Sequence, residues 1–329
     1  MSAGAPHGAP RPSAPALTRV RDGALDWLSA HRAHFRLPDD VTAPHVPHGT
    51  TLKPLGELAQ LAAGVLRETA SGSPAHVTAR GLADYAWEQT REGELLHALA
   101  LLEPYATHPA EIYATFAEAG YRHAGVERYV AFAAGTRYWR GTELLPTRTL
   151  AVLAAERRLG LTPHADIPDA AARTWLGGLP EPWAFEARAG YALTHYVFHL
   201  TDWGRQPSGL PAAVCDYLTA WLPAWLAACL EEEHWDLAGE LLAVCASLPE
   251  PLPADTEWQT YAAAQGPDGG YAERGPAPRG QITRETFLGC YHATVVAGSA
   301  AALALARPAP GAPSTPAPAT APVPAGGRR

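Results

Sequence analysis

An all-α fold, either an α/α toroid or a helical-pair solenoid of about a dozen helices, is what this 329-residue sequence predicts. Three observations carry that expectation. Alanine and leucine dominate while β-branched residues are few, a balance that favours helix over sheet. Apolar residues recur with a helical period in segments punctuated by Pro and Gly, and no stretch alternates persuasively as a strand. The segments are of similar length and joined by short connections, as in stacked helix pairs. Signatures of the common solenoid repeats are not evident, so closure into a toroid is the preferred architecture.

In chain order the helices are expected at 17–35, 52–69, 76–90, 93–105, 109–119, 123–139, 146–159, 168–177, 183–201, 210–232, 236–247, 255–265 and 283–306. The second, fifth and seventh carry Pro54, Pro109 and Pro146 near their first turns, where a missing N–H breaks no helical hydrogen bond. Asp236 stands where it can cap the eleventh, and Thr283 precedes the apolar run of the last. Residues 1–16 and 307–329 are rich in Pro, Ala and Gly and bury too little apolar surface to offset ordering. They are expected to be disordered tails around a single helical domain, 17–306.

Composition excludes some partners. A net charge of -8 without a basic cluster argues against nucleic acid. The four cysteines lack CxxC spacing, so a disulfide framework or zinc ribbon is not expected and a reducing cytoplasm fits. There is no signal-like start and no uninterrupted apolar run long enough to span a bilayer, so a cytoplasmic protein with no membrane span is expected. A small molecule or peptide is the partner that remains.

The segment EARAGYALTHYVFHLTDWG, Glu186–Gly204, is the most informative. It sets His195, His199 and Asp202 at i, i+4 and i+7, which at about 100° per residue puts two imidazoles and a carboxylate on one face of an apolar helix. Arg188, seven residues before His195, extends the row and suits an anionic substrate group. A second group, Glu233, Asp236 and Glu240, shares a face of another helix, although a cap or a solvated helix end explains it equally well. The third is His292, in a small and apolar helix beside Cys290 and Tyr291; burial would require a polar partner for it.

These groups make His195, Asp202 and His292 the candidate catalytic residues, with Arg188 and Tyr291 as candidate substrate contacts. His195, His199, Asp202, Asp236, Glu240 and His292 also have the ligand types used for a divalent metal such as Zn²⁺ or Fe²⁺. No HExxH is present, so the metal is not a motif match. Without a metal, a histidine oriented by Asp202 or Asp236 would serve as general base, because a carboxylate raises imidazole basicity and fixes its tautomer. The seven tryptophans between Trp175 and Trp258 suit an apolar-ligand cavity or, more commonly, core packing.

The run WQTYAAAQGPDGGYAERG, Trp258–Gly275, ends a helix in Gln265, turns through Asp268, Gly269 and Gly270, and continues with Tyr271. It resembles the glutamine-aromatic repeat of the squalene-cyclase and protein-prenyltransferase superfamily, and CYHATVVAGSAAALAL, which follows, resembles an inner helix of such a repeat. The likeness spans residues 258–305. It implies an α/α toroid in which the turn staples outer helices. It does not imply the family's chemistry. The DxDD acid motif is missing, and Asp39-Asp40 stands alone in a Pro-rich loop. Cys290 and His292 match the zinc ligands of prenyltransferase β-subunits only loosely. Lanthionine cyclases place a zinc cysteine directly before the histidine, whereas Tyr291 intervenes here. The run YALTHYVFHLTDWG is also similar to actinobacterial sequences of no assigned reaction. Together these readings suggest an enzyme of specialised metabolism, with cyclase, lyase or transferase chemistry in an enclosed polar pocket. The alternative is a non-catalytic helical scaffold, which would show an exposed apolar groove for a peptide or partner protein.

Overall fold

Caps and prolines set where the helices of this chain begin. In a computed structural model that describes residues 13–307, the fold is all-α, with no strand among the described residues. The helices are α1 (Ala14–Ala30), α2 (Leu52–Glu68), α3 (Pro74–Gln89), α4 (Glu94–Leu102), α5 (His108–Glu118), α6 (Ala124–Ala134), α7 (Arg137–Arg140) and α8 (Pro146–Arg158). They continue with α9 (Ile167–Ala172), α10 (Ala187–Thr201), α11 (Ala212–Glu231), α12 (Trp235–Ser247), α13 (Asp255–Ala263), α14 (Arg284–Leu288) and α15 (Tyr291–Ala306). Ser73, Asp166 and Thr283 each accept an N–H from the first turn that follows, and Pro109 and Pro146 sit at helix starts as expected.

Among the boundaries that differ from expectation, three have an evident cause. The 123–139 segment breaks at Gly135, after which Thr136 caps a new helix by accepting the Trp139 N–H. The 283–306 segment breaks at Gly289, whose carbonyl accepts the N–H of Glu273 from a distant loop at 3.1 Å. At the other end of the chain α1 starts at Ala14, inside the expected tail, because Ser13 is buried with its N–H on Asp255 Oδ1. Apart from residues 13–16 and Arg307, the two expected tails lie outside the described residues.

Six of the helices close a ring. α2 packs on α5, α5 on α8, α8 on α10, α10 on α12, α12 on α15, and α15 returns to α2. The others flank it: α3 lies on α2, α4 and α6 on α5, α9 on α8, α11 and α13 on α12, and α1 on α15. Residues near the starts of inner helices meet each other, as do residues near their ends. His292 of α15 reaches Asp236 of α12, while Arg67 of α2 reaches Glu118 of α5. The six inner helices therefore run parallel, with all N-termini at one mouth of the ring. Apolar packing fills the space between inner and outer helices in two clusters, one holding Trp27, Tyr113 and Phe116 and the other Leu193, Tyr196 and Leu241.

The turn after α13 bonds to three helices at once. Gln265 Nε2 donates to Val20 O of α1 at 3.1 Å and to Gly269 O at 2.9 Å, while the Tyr271 N–H donates to Thr294 Oγ1 of α15 at 2.9 Å. One turn thus ties outer helices α13 and α1 to inner helix α15. Two stretches, Ala212–Glu231 and Arg284–Ala306, are long and apolar enough to cross a membrane by length and composition. The second contains α15, a wall of the ring.

Candidate functional site

The ring encloses a cavity of about 500 Å³, within the range that holds a small organic ligand. Its walls are built from stripes at alternating three- and four-residue spacing, so each inner helix offers one face to it. On α2 the stripe is Lys53, Glu57, Gln60, Gly64 and Arg67; on α5 it is His108, Glu111 and Thr115. Small residues such as Ala151, Ala155 and Ala243 keep the middle open.

Polar groups collect toward the N-terminal mouth. His292, on the first turn of α15, places Nδ1 2.6 Å from Asp236 Oδ1. Its Nε2 lies 3.6 Å from Glu57 Oε1 and 3.9 Å from Glu240 Oε1. The other oxygen of Asp236 accepts the Tyr191 hydroxyl at 2.6 Å, and Thr194 donates to Glu240 Oε2. Behind them, His234 Nε2 is 3.2 Å from the Tyr191 hydroxyl and its Nδ1 is 2.8 Å from Arg274 Nη2. Asp236 and Glu240 are buried, whereas His292 is about a quarter exposed (26% of its side chain), on the cavity side.

Electrostatics follow from this packing. Burial works against a charge on His292, but the hydrogen bond and charge of Asp236, joined by Glu57 and Glu240, prevail and lift its pKa to about 9. Burial alone would raise Asp236, yet the His292 hydrogen bond and charge and the Tyr191 hydroxyl hold it below the usual carboxylate range. Glu240 goes the other way: burial pushes it up against the pull of His195 and His292. Glu57 Oε2 is buried without a hydrogen-bond partner. The arrangement is an imidazolium whose free nitrogen faces the cavity beside two carboxylates, a set able to give one proton and take another.

Residues 21–302 match the family described as a domain of unknown function, DUF6895. The chain belongs to the DUF6895 family. The match runs from within α1 to within α15 and so reaches every helix of the ring. No curated protein and no solved structure matches the chain.

Of the residues that sequence reasoning selected in this DUF6895 chain, His195, His199, Glu240 and His292 line the cavity. His195 Nδ1 donates to its own helix at Tyr191 O, 2.6 Å away, which directs Nε2 elsewhere. Burial, followed by the charges of His195 and three arginines, holds His199 well below its ordinary pKa, so it is neutral. Asp236 is not a cap: α12 begins at Trp235, and the carboxylate turns to Tyr191 and His292.

Asp202, Arg188 and Tyr291 are placed differently from expectation. Asp202 ends α10 in a left-handed conformation, φ +51°, which carries its side chain away from the histidine stripe. There it binds Arg158 Nε at 2.6 Å and Arg205 at the C-terminal end of the ring. Arg67, Glu68 and Glu118 add to this plug, where cations face the negative ends of helix dipoles. Arg188 lies on the exposed first turn of α10, beyond the rim. Tyr291 is buried, stacked on Phe287, with its phenol pushed up by burial and the charge of Glu57. Of the tryptophans between Trp175 and Trp258, only Trp203 lines the cavity, while Trp225, Trp235 and Trp258 are core.

The ligand atoms of Asp236, Glu240 and His292 lie within 4.8 Å of one another, a spacing a metal ion can use. Asp236 fits that role poorly, because both its oxygens already accept hydrogen bonds. His199 and Asp202 are not part of this group. Sequence reasoning overlooked Glu57, Tyr191 and His234. The α2 stripe was the signal available for Glu57; for Tyr191 and His234, partners across the ring decide, and only the fold reveals them.

Proposed function

We propose that this chain is an enzyme that holds a small or peptidic substrate in the ring cavity and acts on it by proton transfer. His292 is the general acid, donating from Nε2. Glu240, whose basicity burial raises, or Glu57 takes the proton that is removed. Asp236, held by Tyr191, keeps the imidazole charged and oriented, and the apolar wall limits competing water. An acid and a base facing one cavity suit cyclisation, elimination or group transfer, so the chemistry is of cyclase, lyase or transferase type, in specialised metabolism and a reducing cytoplasm. The resemblance to α/α-toroid enzymes supports this reading. The single observation that carries it is the His292–Asp236 pair, with His292 Nε2 facing a cavity of ligand size and two carboxylate oxygens within 4 Å.

A second reading, the scaffold, draws on exposed Leu101, Leu102, Phe132 and Leu145. The two are separated by incubating purified protein with a cell metabolite extract and following every mass feature. The enzyme reading expects features consumed by the parent and spared by His292→Gln and Glu240→Gln. If the parent consumes no feature, the enzyme reading falls.

A further inference from the structure

A separate convergence lies at the junction of α2 and α5. Glu103 ends α4, its N–H bonded to Leu99 O and its carbonyl taking the Ala106 N–H, both at 2.8 Å. The chain therefore turns within 104–107 and restarts as α5 at His108, followed by Pro109, which brings Glu103 and His108 side by side. His48 comes from the turn ahead of α2. There the Pro47 carbonyl accepts the Thr50 N–H at 3.2 Å and the Thr51 hydroxyl at 2.9 Å, so this backbone too is pinned. Packing of α2 on α5 sets the His48 and His108 rings 4.9 Å apart between centroids.

Ligand atoms of His48, Glu103 and His108 all lie within 4.8 Å of one another. Among the described residues no hydrogen bond or ion pair engages these three side chains, and the buried His108 Nε2 has no partner. The nearby cation Arg148 is already neutralised by Glu111, 2.5 Å away. Both imidazoles line the cavity.

We propose that His48, Glu103 and His108 bind a divalent first-row transition metal ion, with zinc as the reference, leaving a coordination position open to the cavity. Two imidazoles and one carboxylate suit zinc and its neighbours, whereas calcium and magnesium take oxygen ligands. Bonds of about 2.0–2.2 Å put neighbouring ligands roughly 3.4 Å apart around a tetrahedron, so ligand atoms within 4.8 Å of one another need close by at most about 1.4 Å. None of the three is fully buried, and rotation about their side-chain bonds supplies that movement while the pinned turns stay in place. Three protein ligands with a fourth place free is the pattern of a site that meets a substrate or water. This site does not depend on the acid–base reading of His292.

The test is zinc binding to tag-free full-length protein by calorimetry, with the visible spectrum of the cobalt(II) form as a check on coordination. One equivalent per chain is expected. His48→Ala, His108→Ala and Glu103→Gln should each weaken binding more than about tenfold, and His292→Ala should leave it unchanged. Glu103→Gln, an isostere, decides the matter should an alanine variant fail to fold. The proposal is overturned if the parent takes up no stoichiometric zinc, if His48→Ala and Glu103→Gln bind as the parent does, or if His292→Ala alone abolishes binding.

Discussion

His292 Nδ1 stands 2.6 Å from Asp236 Oδ1, and this contact joins the first turns of two inner helices, α15 and α12. It is one end of a hydrogen-bonded row in which each partner fixes the next. Arg274 can only donate, so His234 Nδ1 accepts, and His234 Nε2–H then donates to the Tyr191 oxygen. Tyr191 in turn donates to Asp236, which accepts from His292 as well. Burial and the adjacent Arg274 charge lower the His234 pKa, consistent with the neutral ring this row requires. The row leaves one group facing the cavity with a proton to give, His292 Nε2.

Stability should carry the signature of that pair. A histidine whose folded pKa is about 9 contributes stability that is fully present below its unfolded value, about 6.5, and is lost as pH rises through about 9. Asp236, depressed in the fold, bounds the window from below, its contribution fading as pH falls through its own folded pKa. Urea unfolding at pH 6.5 and 9.5 should show the parent losing on the order of 1–3 kcal/mol more than His292→Gln over that interval. Equal losses would mean that His292 is not held charged.

Tyr191→Phe isolates the next link. The substitution keeps the ring and its packing but removes a hydrogen bond to a buried carboxylate, which is worth roughly 1.5–3 kcal/mol. The loss should appear in urea unfolding at neutral pH. An unchanged midpoint would show that solvent satisfies Asp236 instead.

Asp202 should behave as a structural residue. Arg158 and Arg205 outweigh burial and hold its carboxyl below the usual range, so its contribution is present at neutral pH and is lost as pH falls through the folded pKa. Asn tolerates the left-handed backbone at this position, so Asp202→Asn tests charge and not conformation. Because the Arg158 side chain is only 8% exposed, removing its nearest partner should cost about 3–5 kcal/mol. A variant that melts with the parent would show that Glu118 suffices for Arg158.

How much of this was legible beforehand follows from what sets each feature. Helix positions were readable because caps, prolines and periodicity act locally, as Pro109, Pro146 and Thr283 show. The breaks at Gly135 and Gly289 were not, since the second depends on a hydrogen bond from Glu273, far along the chain. On α10 the histidine stripe reached the cavity as its spacing implies. Asp202 did not, because counting 100° per residue assumes that the helix continues, and the chain leaves the helix at that residue. Glu57 was hidden for a different reason. Its stripe with Lys53, Gln60 and Arg67 reads as an ordinary solvated face until the ring closes and turns that face inward.

The turn at Gly269 ties the outer helices α13 and α1 to the ring helix α15. The φ of +95° at this glycine is a conformation that L side chains rarely adopt, and a Cβ there would lie 2.1 Å from the Gly23 carbonyl oxygen of α1, backbone that cannot swing aside. Gly269→Ala must therefore both strain the turn and push α1 from α13. A destabilisation of several kcal/mol, more than about 3, is expected in thermal or urea unfolding. Gln265→Leu is the milder companion, since it keeps the backbone but leaves the Val20 and Gly269 carbonyls without the Nε2 donor, at about 1–3 kcal/mol. Removing Gln265 should loosen α1 first, so amide exchange in 14–30 should accelerate more than in α5 or α8. Uniform acceleration around the ring would indicate that α1 is held by its packing on α15 and not by the turn.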